Sequence, residues 1–505
     1  MILPRDEFDE ALIRNVHPAD WQNPQPTGKY DLVVIGAGTA GLISAAGAAG
    51  LGAKTALIER AYFGGDCLNV GCVPSKSLLR SAHVAAEVRD AGRFGVRVPD
   101  GVDVDFAAVM RRMREVRARI SPVDSVERFS EELGVDVYLG EARFATPTSI
   151  EVAGTRLRFK KAVVATGARP LLPPVPGLAE AGPLTNETVF NLRTLPPRLL
   201  VLGAGPIGCE LSQAFRRFGA EVTLLEMSPN FLGQEDADAT QRLRDAFERD
   251  GIDVRLETTA THVTTRDAEP RQKVVTLESK GHSETISVDE ILVSAGRAPN
   301  VESLGLEQAK IDFDPQRGIV VDDQLRTSNR RVFAAGDVCL STRFTHVAEF
   351  SARTVIQNAL FFPTQRLSRL TIPWCTYTSP EIAHVGLYPR DAEAQGIEID
   401  TWVHELSDVD RAITDGETDG FVKIHTKRGS DKILGATIVA RQAGDLISEI
   451  SVAMAGGMGL GRLTSVIHPY PTQADAIRQV ANAYNRSRLT PTVKRLFRAV
   501  IRLKP

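Results

Sequence analysis

The sequence predicts an α/β fold, with two Rossmann-like dinucleotide-binding domains followed by a separate α+β domain, and three observations predict it. A unit of strand, glycine loop, helix, strand and terminal acid occurs twice, as "DLVVIGAGTAGLISAAGAAGLGAKTALIER" from Asp31 and "RLLVLGAGPIGCELSQAFRRFGAEVTLLEM" from Arg198. In both units the first glycine and the closing acid stand 23 positions apart, Gly36 to Glu59 and Gly203 to Glu226. From about Thr371 the pattern becomes alternating strands and helices without a glycine fingerprint, as in "GFVKIHTK" and "KILGATIVA".

The elements follow in order. Residues 1–28 are an N-terminal extension whose early acids and lack of an apolar core exclude a signal peptide. Residues 32–53 carry no charge over 22 positions, long enough to span a bilayer, yet their six glycines fit a buried strand, loop and helix, so no transmembrane segment is expected. The first dinucleotide domain covers 29–168, and the proline-rich "ARPLLPPVPG" leads out of it. The second domain covers 169–296, the chain returns to the first over 297–370, and the α+β domain, a candidate for pairing two subunits, covers 371–485. A basic amphipathic tail fills 486–505.

Within the fingerprints, Gly36 and Gly203 permit the tight turn, and Gly38 and Gly205 let backbone approach a pyrophosphate on the positive end of the next helix. Gly41 and Gly208 bring that helix against the strand. Glu59 and Glu226 are placed to accept from ribose hydroxyls. One such loop alone would be a glycine-rich turn, but two complete units point to two dinucleotides and an electron relay between them. Three further apolar strands end in small residues where backbone passes close to a ligand: "AVVATGARP", "ILVSAGRAPN" and "VFAAGDV". They assign Thr166, Gly167, Gly296, Arg297 and Gly336 to the cofactor sites, with Asp337 accepting from a sugar hydroxyl.

A length of 505 residues implies several domains, and 43% hydrophobic with 24% charged residues is the composition of a globular, water-borne chain. The net charge of −3 gives no reason to expect nucleic acid. Five cysteines are too few, and odd in number, for a secreted disulfide scaffold, so a reducing cytoplasm is the expected compartment.

Two of those cysteines lie five apart in "GGDCLNVGCVPSK" (64–76). Zinc needs two more ligands at short spacing, and none is present. Cys67 and Cys72 fall about 140° apart around a regular helix, so a bond between them needs Cys67 in an irregular turn leading into the helix of Cys72. Gly64, Gly65 and Gly71 supply that freedom, and Pro74 suits a helix start. The helix N-terminus and Lys76, one turn on, both favour a thiolate at Cys72. This setting points to a redox-active disulfide rather than an inert pair.

With both fingerprints, "ATG", "AAGD" and the C-terminal domain, this segment resembles the flavin-dependent pyridine nucleotide-disulfide oxidoreductases, which include dihydrolipoamide dehydrogenase and mercuric reductase. The resemblance runs from about residue 29 to 485. It implies FAD in the first site, with Gly65, Lys76 and Ala142 among its contacts, a nicotinamide nucleotide in the second, and a homodimer joined by the C-terminal domain. By the same resemblance Cys72 faces the flavin as a charge-transfer thiolate, Cys67 exchanges with substrate, and Lys76 pairs with Glu210. Hydride passes from nicotinamide to FAD, two electrons pass to the disulfide, and the dithiol reduces a small-molecule or metal-ion acceptor.

The chain departs from the family where disulfide-handling members carry His-Pro-Thr and a later acid. Here "HPYPTQAD" puts Tyr470 in the histidine slot and Asp475 at the acid, with His468 two positions earlier. A phenol is a poor base near neutral pH. Mercuric reductases also place tyrosine there, but they carry a C-terminal cysteine pair, and no cysteine follows Cys375 here. The expected enzyme is mercuric reductase-like without metal-delivery thiols; the alternatives are a lipoamide-type reductase using His468 and a membrane-associated electron-transfer flavoprotein. NADH is expected over NADPH, because Glu226 repels a 2′-phosphate and "MSPNFLGQ" after it holds no cation. Cys209, Cys339 and Cys375 read as packing residues, and His83 as a helix residue outside the site. In the tail, Lys494, Arg495, Arg498, Arg502 and Lys504 alternate with Leu496, Phe497, Val500 and Ile501, a pattern that allows weak contact with a membrane surface.

Overall fold

The computed structural model describes residues 2, 6–99, 101, 103–266 and 272–503. The chain forms two compact units: the residues up to Pro229 with Ile252–Arg369, and Asn230–Gly251 with the chain from Leu370.

The first unit opens with α1 (Glu7–Val16), capped by the Asp6 carboxylate, which accepts from the amides of Phe8 and Asp9. β1 (Lys29–Ile35), α2 (Thr39–Gly50) and β2 (Thr55–Glu59) form the first βαβ unit, its strands parallel from Leu32 opposite Thr55 to Ile35 opposite Ile58. Next come α3 (Gly65–Asn69), α4 (Cys72–Asp90), α5 (Phe106–Ile120), β3 (Asp136–Leu139), β4 (Ala142–Thr146), β5 (Ser149–Val152) and β6 (Thr155–Val164). The sheet order is β3-β2-β1-β6-β5-β4. The N-terminal extension covers the β3 edge: Trp21 donates to the Val137 carbonyl, and Asn23 bonds both the amide and the carbonyl of Leu139.

After β7 (Ala168–Pro170), the second fingerprint folds as β8 (Arg198–Leu202), α6 (Pro206–Phe218) and β9 (Glu221–Leu225). The chain leaves to form α7 (Ala237–Asp250) in the second unit, then returns as β10 (Asp253–Arg255), an antiparallel trio β11 (Thr258–Arg266), β12 (Gln272–Ser279) and β13 (His282–Val288), and β14 (Glu290–Val293). The parallel order is β10-β9-β8-β14, so the repeated sequence is a repeated fold. β15 (Arg297–Pro299), β16 (Phe313–Asp314) and β17 (Gly318–Ile319) precede β18 (Val332–Ala334), which rejoins the first sheet beside β6, and α8 (Thr345–Leu360) follows.

The second unit is a five-stranded antiparallel sheet, in the order β19 (Pro373–Thr376), β20 (Glu381–Gly386), β23 (Ile433–Ala440), β22 (Phe421–Lys427) and β21 (Ile399–Glu405). α9 (Pro389–Ala394) and α10 (Asp410–Asp415) lie in the connections, and α11 (Ala443–Ala455) and α12 (Asp475–Ser487) pack Ile447, Ile450, Ile477 and Tyr484 into its core. α13 (Pro491–Leu503) ends the described chain and lies within the basic amphipathic tail expected over 486–505, and Lys504 lies outside the described residues.

The crossings at 168/169 and 296/297 fall within the first compact unit and pair with each other, Arg297 opposite Pro170 and Pro299 opposite Ala168. Residues 230–251, expected in the second dinucleotide domain, belong with the C-terminal sheet. The cause is buried polar chemistry: Lys423 is buried with its ammonium 2.7 Å from both Asp236 and Asp238, and Glu235 accepts from Trp374 at 2.8 Å and Tyr388 at 2.6 Å. A buried charge this well partnered is costly to pull apart. Among the described residues no helix is long and apolar enough to cross a membrane.

Candidate functional site

The two glycine loops have the backbone the fingerprints require. Gly36 and Gly203 sit at φ +100° and +104°, and a Cβ on Gly41 or Gly208 would lie 1.7 or 2.0 Å from the carbonyl oxygen of its loop's first glycine. Around Gly205 there is open space. Gly65 meets the first loop, since a Cβ there would lie 2.6 Å from the Gly38 Cα. Glu59 accepts from the amides of Ala37 (2.6 Å) and Ala61 (2.7 Å), and burial pushes its carboxyl up. Glu226 repeats this with Ala204 and Ser228, both at 3.0 Å. Each acid therefore also braces its own loop, a role the sequence reading did not foresee.

The strand-end loops are tied together. Thr166 donates to the Asn300 carbonyl, Asn300 returns a bond to the Thr166 carbonyl, and the Asn300 amide donates to Gly167. Gly296 and Gly336 both have positive φ. Ala142 is buried at the start of β4, opposite Val152 of β5. Arg297 donates to Asp66 and to the Ala168 carbonyl and stands 3.9 Å from Asp337, whose carboxyl burial pushes up. The Nε atoms of Arg297 and Arg343 are buried without a hydrogen-bond partner. These orphaned cationic donors, beside a Gly38–Gly65 approach that tolerates no side chain, fit an anionic dinucleotide such as FAD.

The cysteines lie on α3 and α4. Cys67 is in the one-turn helix α3 rather than an irregular turn, and Gly71 makes the reversal, where a Cβ would fall 2.7 Å from the Asp66 carbonyl oxygen. Cys72 is the first residue of α4, its sulfur 3.2 Å from the Thr345 hydroxyl at the start of α8. The Cys67 thiol donates to Cys72, and this bond, with the Thr345 hydroxyl and the Lys76 charge, holds the Cys72 thiol down to about 6 against the opposing burial. The same bond, then burial, pushes Cys67 up, and the Asp124 carboxylate adds to the shift. The shared bond therefore favours the anion at Cys72 over the anion at Cys67. Lys76 reaches α6, its ammonium 2.7 Å from the largely buried Glu210 carboxylate. Cys209 is buried and Cys339 half-buried, with burial pushing both thiols up; Cys375 lies on β19 and His83 on α4.

In the second unit the loop before α12 presents one residue and withdraws the other. The His468 side chain is 5% exposed, its Nε2 3.0 Å from Glu449 on α11. Tyr470 is 78% exposed, donates to Asp410 at 2.9 Å, and its phenol is raised by that bond. The carboxylate in contact with His468 is Glu449, which the sequence reading missed, and not Asp475. Asp475 starts α12; burial pushes its carboxyl up, but hydrogen bonds from Gln479 and Arg478 bring it below the usual range. Thr345, Asp124 and Asp410 were also missed, each being distant in sequence from the residue it affects.

A fold with two dinucleotide loops, a cysteine pair set for thiol–thiolate chemistry and a separate α+β domain defines a flavoprotein disulfide reductase. The chain belongs to the pyridine nucleotide-disulphide oxidoreductase family, whose model matches residues 30–352 and whose dimerisation-domain model matches 372–481. Mercuric reductase of Lysinibacillus sphaericus is 34% identical over 96% of this chain and 90% of its own length. Dihydrolipoyl dehydrogenase of Staphylococcus aureus is 33% identical over 89% of this chain and 96% of its own. The solved HOCl-induced flavoprotein disulfide reductase RclA of Escherichia coli aligns with a TM-score of 0.80 at 26% identity, covering 90% of this chain and 99% of that one. LpdA of Mycobacterium tuberculosis aligns with the same score and coverage at 27%. Members of this family depend on FAD and use pyridine nucleotides, and the dimerisation domain fits a homodimer.

Proposed function

We propose that this protein is an NADH-dependent flavoprotein reductase that passes two electrons through FAD to the Cys67–Cys72 pair and on to a small acceptor that needs no proton shuttle at the thiols, such as a quinone or a soft metal ion. The observation that carries this reading is the pairing of an exposed Tyr470 with a withdrawn, carboxylate-bound His468. Organic disulfide exchange needs a group titrating near pH 7 to move the thiol proton, and a phenol raised by Asp410 is unsuited to it. FAD, when bound, supplies hydride acceptance from the nicotinamide and two-electron transfer to the cysteines.

The chain's own residues do the rest. Lys76 holds a positive charge beside Cys72, and Glu210 holds Lys76 in place. Thr345 donates to the Cys72 thiolate, and Cys67 keeps its proton until an acceptor engages it; a soft metal ion displaces that proton to solvent as it binds the second sulfur. Two thiolates suffice for a soft metal ion, and RclA, a structural relative, has been solved as a Cu(II) complex. Glu226 and the absence of cations directly after it in sequence favour NADH, and the guanidinium of Arg255, whose carbonyl accepts from the Glu226 amide, is engaged with Asp253 and Glu284.

The test is an anaerobic NADH titration followed by steady-state turnover with lipoamide, glutathione disulfide, a benzoquinone, a redox dye and Hg(II). Quinone, dye and metal should outpace both disulfides at least ten-fold. Brisk lipoamide reduction by wild type would overturn the assignment.

A further inference from the structure

α13 is the largest feature this reading leaves unused. It lies beyond the matched dimerisation domain, which ends at 481, and none of its residues is buried. Its start is fixed locally: the Thr490 hydroxyl and carbonyl accept from the amides of Val493 and Lys494, and Pro491 suits a first turn. At roughly 100° per residue, Lys494, Arg495, Arg498 and Arg502 fall within one arc of about 100°, and Leu503, Leu496, Val500, Val493, Phe497 and Ile501 span a separate arc of about 160°, with Ile501 at its edge beside Lys494. Five of these apolar side chains are strongly exposed, from 46% at Val500 to 82% at Leu503. No uncharged polar residue occurs between Val493 and Leu503.

The charge is as segregated as the apolar surface. Residues 476–505 hold eight Lys and Arg and no Asp or Glu, against −3 for the whole chain, so the remainder stands at −11. We propose that α13 is a docking surface for an anionic lipid bilayer, lying in the interface with its apolar arc in the acyl boundary and its cations among the headgroups. Thirteen residues reach about 20 Å, too short to cross a hydrocarbon core of about 30 Å, so the helix lies in the plane. A bilayer surface offers an apolar phase on one side of such a helix and negative charge along its flanks, and α13 complements both at once. Nucleic acid would engage the cations and leave the apolar arc in water. This docking does not depend on which acceptor the cysteines serve.

The experiment is flotation of the full-length, FAD-loaded protein with vesicles of phosphatidylglycerol and phosphatidylcholine in equal parts, and with phosphatidylcholine alone, with sedimentation measured in parallel. Wild type should float with the anionic vesicles and at least ten-fold less with the neutral ones. Arg495→Glu with Arg498→Glu should lose at least ten-fold in partitioning. Leu496→Asp with Phe497→Asp should lose as much while keeping FAD content and subunit number. Failure of wild type to float overturns the proposal, as does undiminished binding by either double variant. A change from dimer to monomer in Leu496→Asp/Phe497→Asp, with wild type not floating, assigns the helix to contact between copies and equally overturns it.

Discussion

Arg117 on α5 and Asp9 on α1 form an ion pair of 2.7 Å in which the side chains are 1% and 0% exposed. The same guanidinium donates, also at 2.7 Å, to the carbonyl of Asn69, the last residue of the one-turn helix that carries Cys67. The N-terminal extension is thereby connected, through one buried cation, to the segment bearing the redox pair. Asn69 tightens that segment by donating to the carbonyls of Phe63 and Gly65.

Asp9→Ala should cost about 3–5 kcal/mol of stability, because it strands a buried guanidinium. Replacing both partners, Asp9→Leu with Arg117→Met, should recover much of that loss, since the uncompensated charge is removed. Urea unfolding of the three variants checks the order; equal losses in the single and double variants would remove the ion pair as the cause.

The roles of the two thiols separate by spectroscopy. Cys67→Ser should keep a long-wavelength absorption from a thiolate beside oxidised flavin, and Cys72→Ser should abolish it. A depressed pKa means the fold holds the anion, so in the reduced wild type the band should be full at neutral pH and fade on acidification, and the midpoint should shift in Cys67→Ser, which alters the bond that lowers Cys72 most. Thr345→Val removes one of the bonds that lowers Cys72 and should move the midpoint upward. Anaerobic absorbance titration reads all three.

Lys76 and Glu210 push the Cys72 thiol in opposite directions, Lys76 lowering it and Glu210 raising it. Lys76→Met should therefore move the band's midpoint to higher pH, and Glu210→Gln to lower pH if Lys76 stays in place. Both should slow flavin reduction by NADH in stopped flow by about ten-fold or more, through loss of positioning. Midpoints moving the same way would contradict the assigned charges.

Discrimination between the nucleotides should rest on Glu226. Wild type should show the higher kcat/KM with NADH, and Glu226→Ala should narrow the ratio by admitting the 2′-phosphate. The variant also loses the bonds to Ala204 and Ser228, so KM for both nucleotides should rise. A higher wild-type kcat/KM with NADPH would refute the reading.

The loop before α12 predicts the substrate result. His468→Ala should leave the low lipoamide activity nearly unchanged, because that imidazole is committed to Glu449. Tyr470→His should raise lipoamide turnover by putting a group that titrates near neutrality at the presented position. Steady-state assays across pH 6–8 compare them; a collapse in His468→Ala would favour the lipoamide-type alternative.

The parts legible in the sequence are those whose physics is local. Each glycine fingerprint is a run of neighbouring residues in which turn, close approach and helix packing are fixed by which positions lack a Cβ, so Gly36, Gly41, Gly203 and Gly208 could be assigned from spacing alone. The cysteine pair with its three glycines, and the segregated arcs of α13, are local in the same sense. The resemblance supplied the Lys76–Glu210 pair, 134 residues apart. What only the tertiary structure decided are contacts with no periodicity to announce them. Thr345 meets Cys72 across 273 positions, and Arg117 meets Asp9 across 108. The packing of α11 turns His468 inward toward Glu449 and leaves Tyr470 outside. Residues 230–251 leave the domain their sequence position suggests because Lys423, Trp374 and Tyr388 are buried and need the carboxylates that segment brings. Chain order determines where a turn or a helix can form, but which distant side chain satisfies a buried charge or donor is settled only when the elements pack.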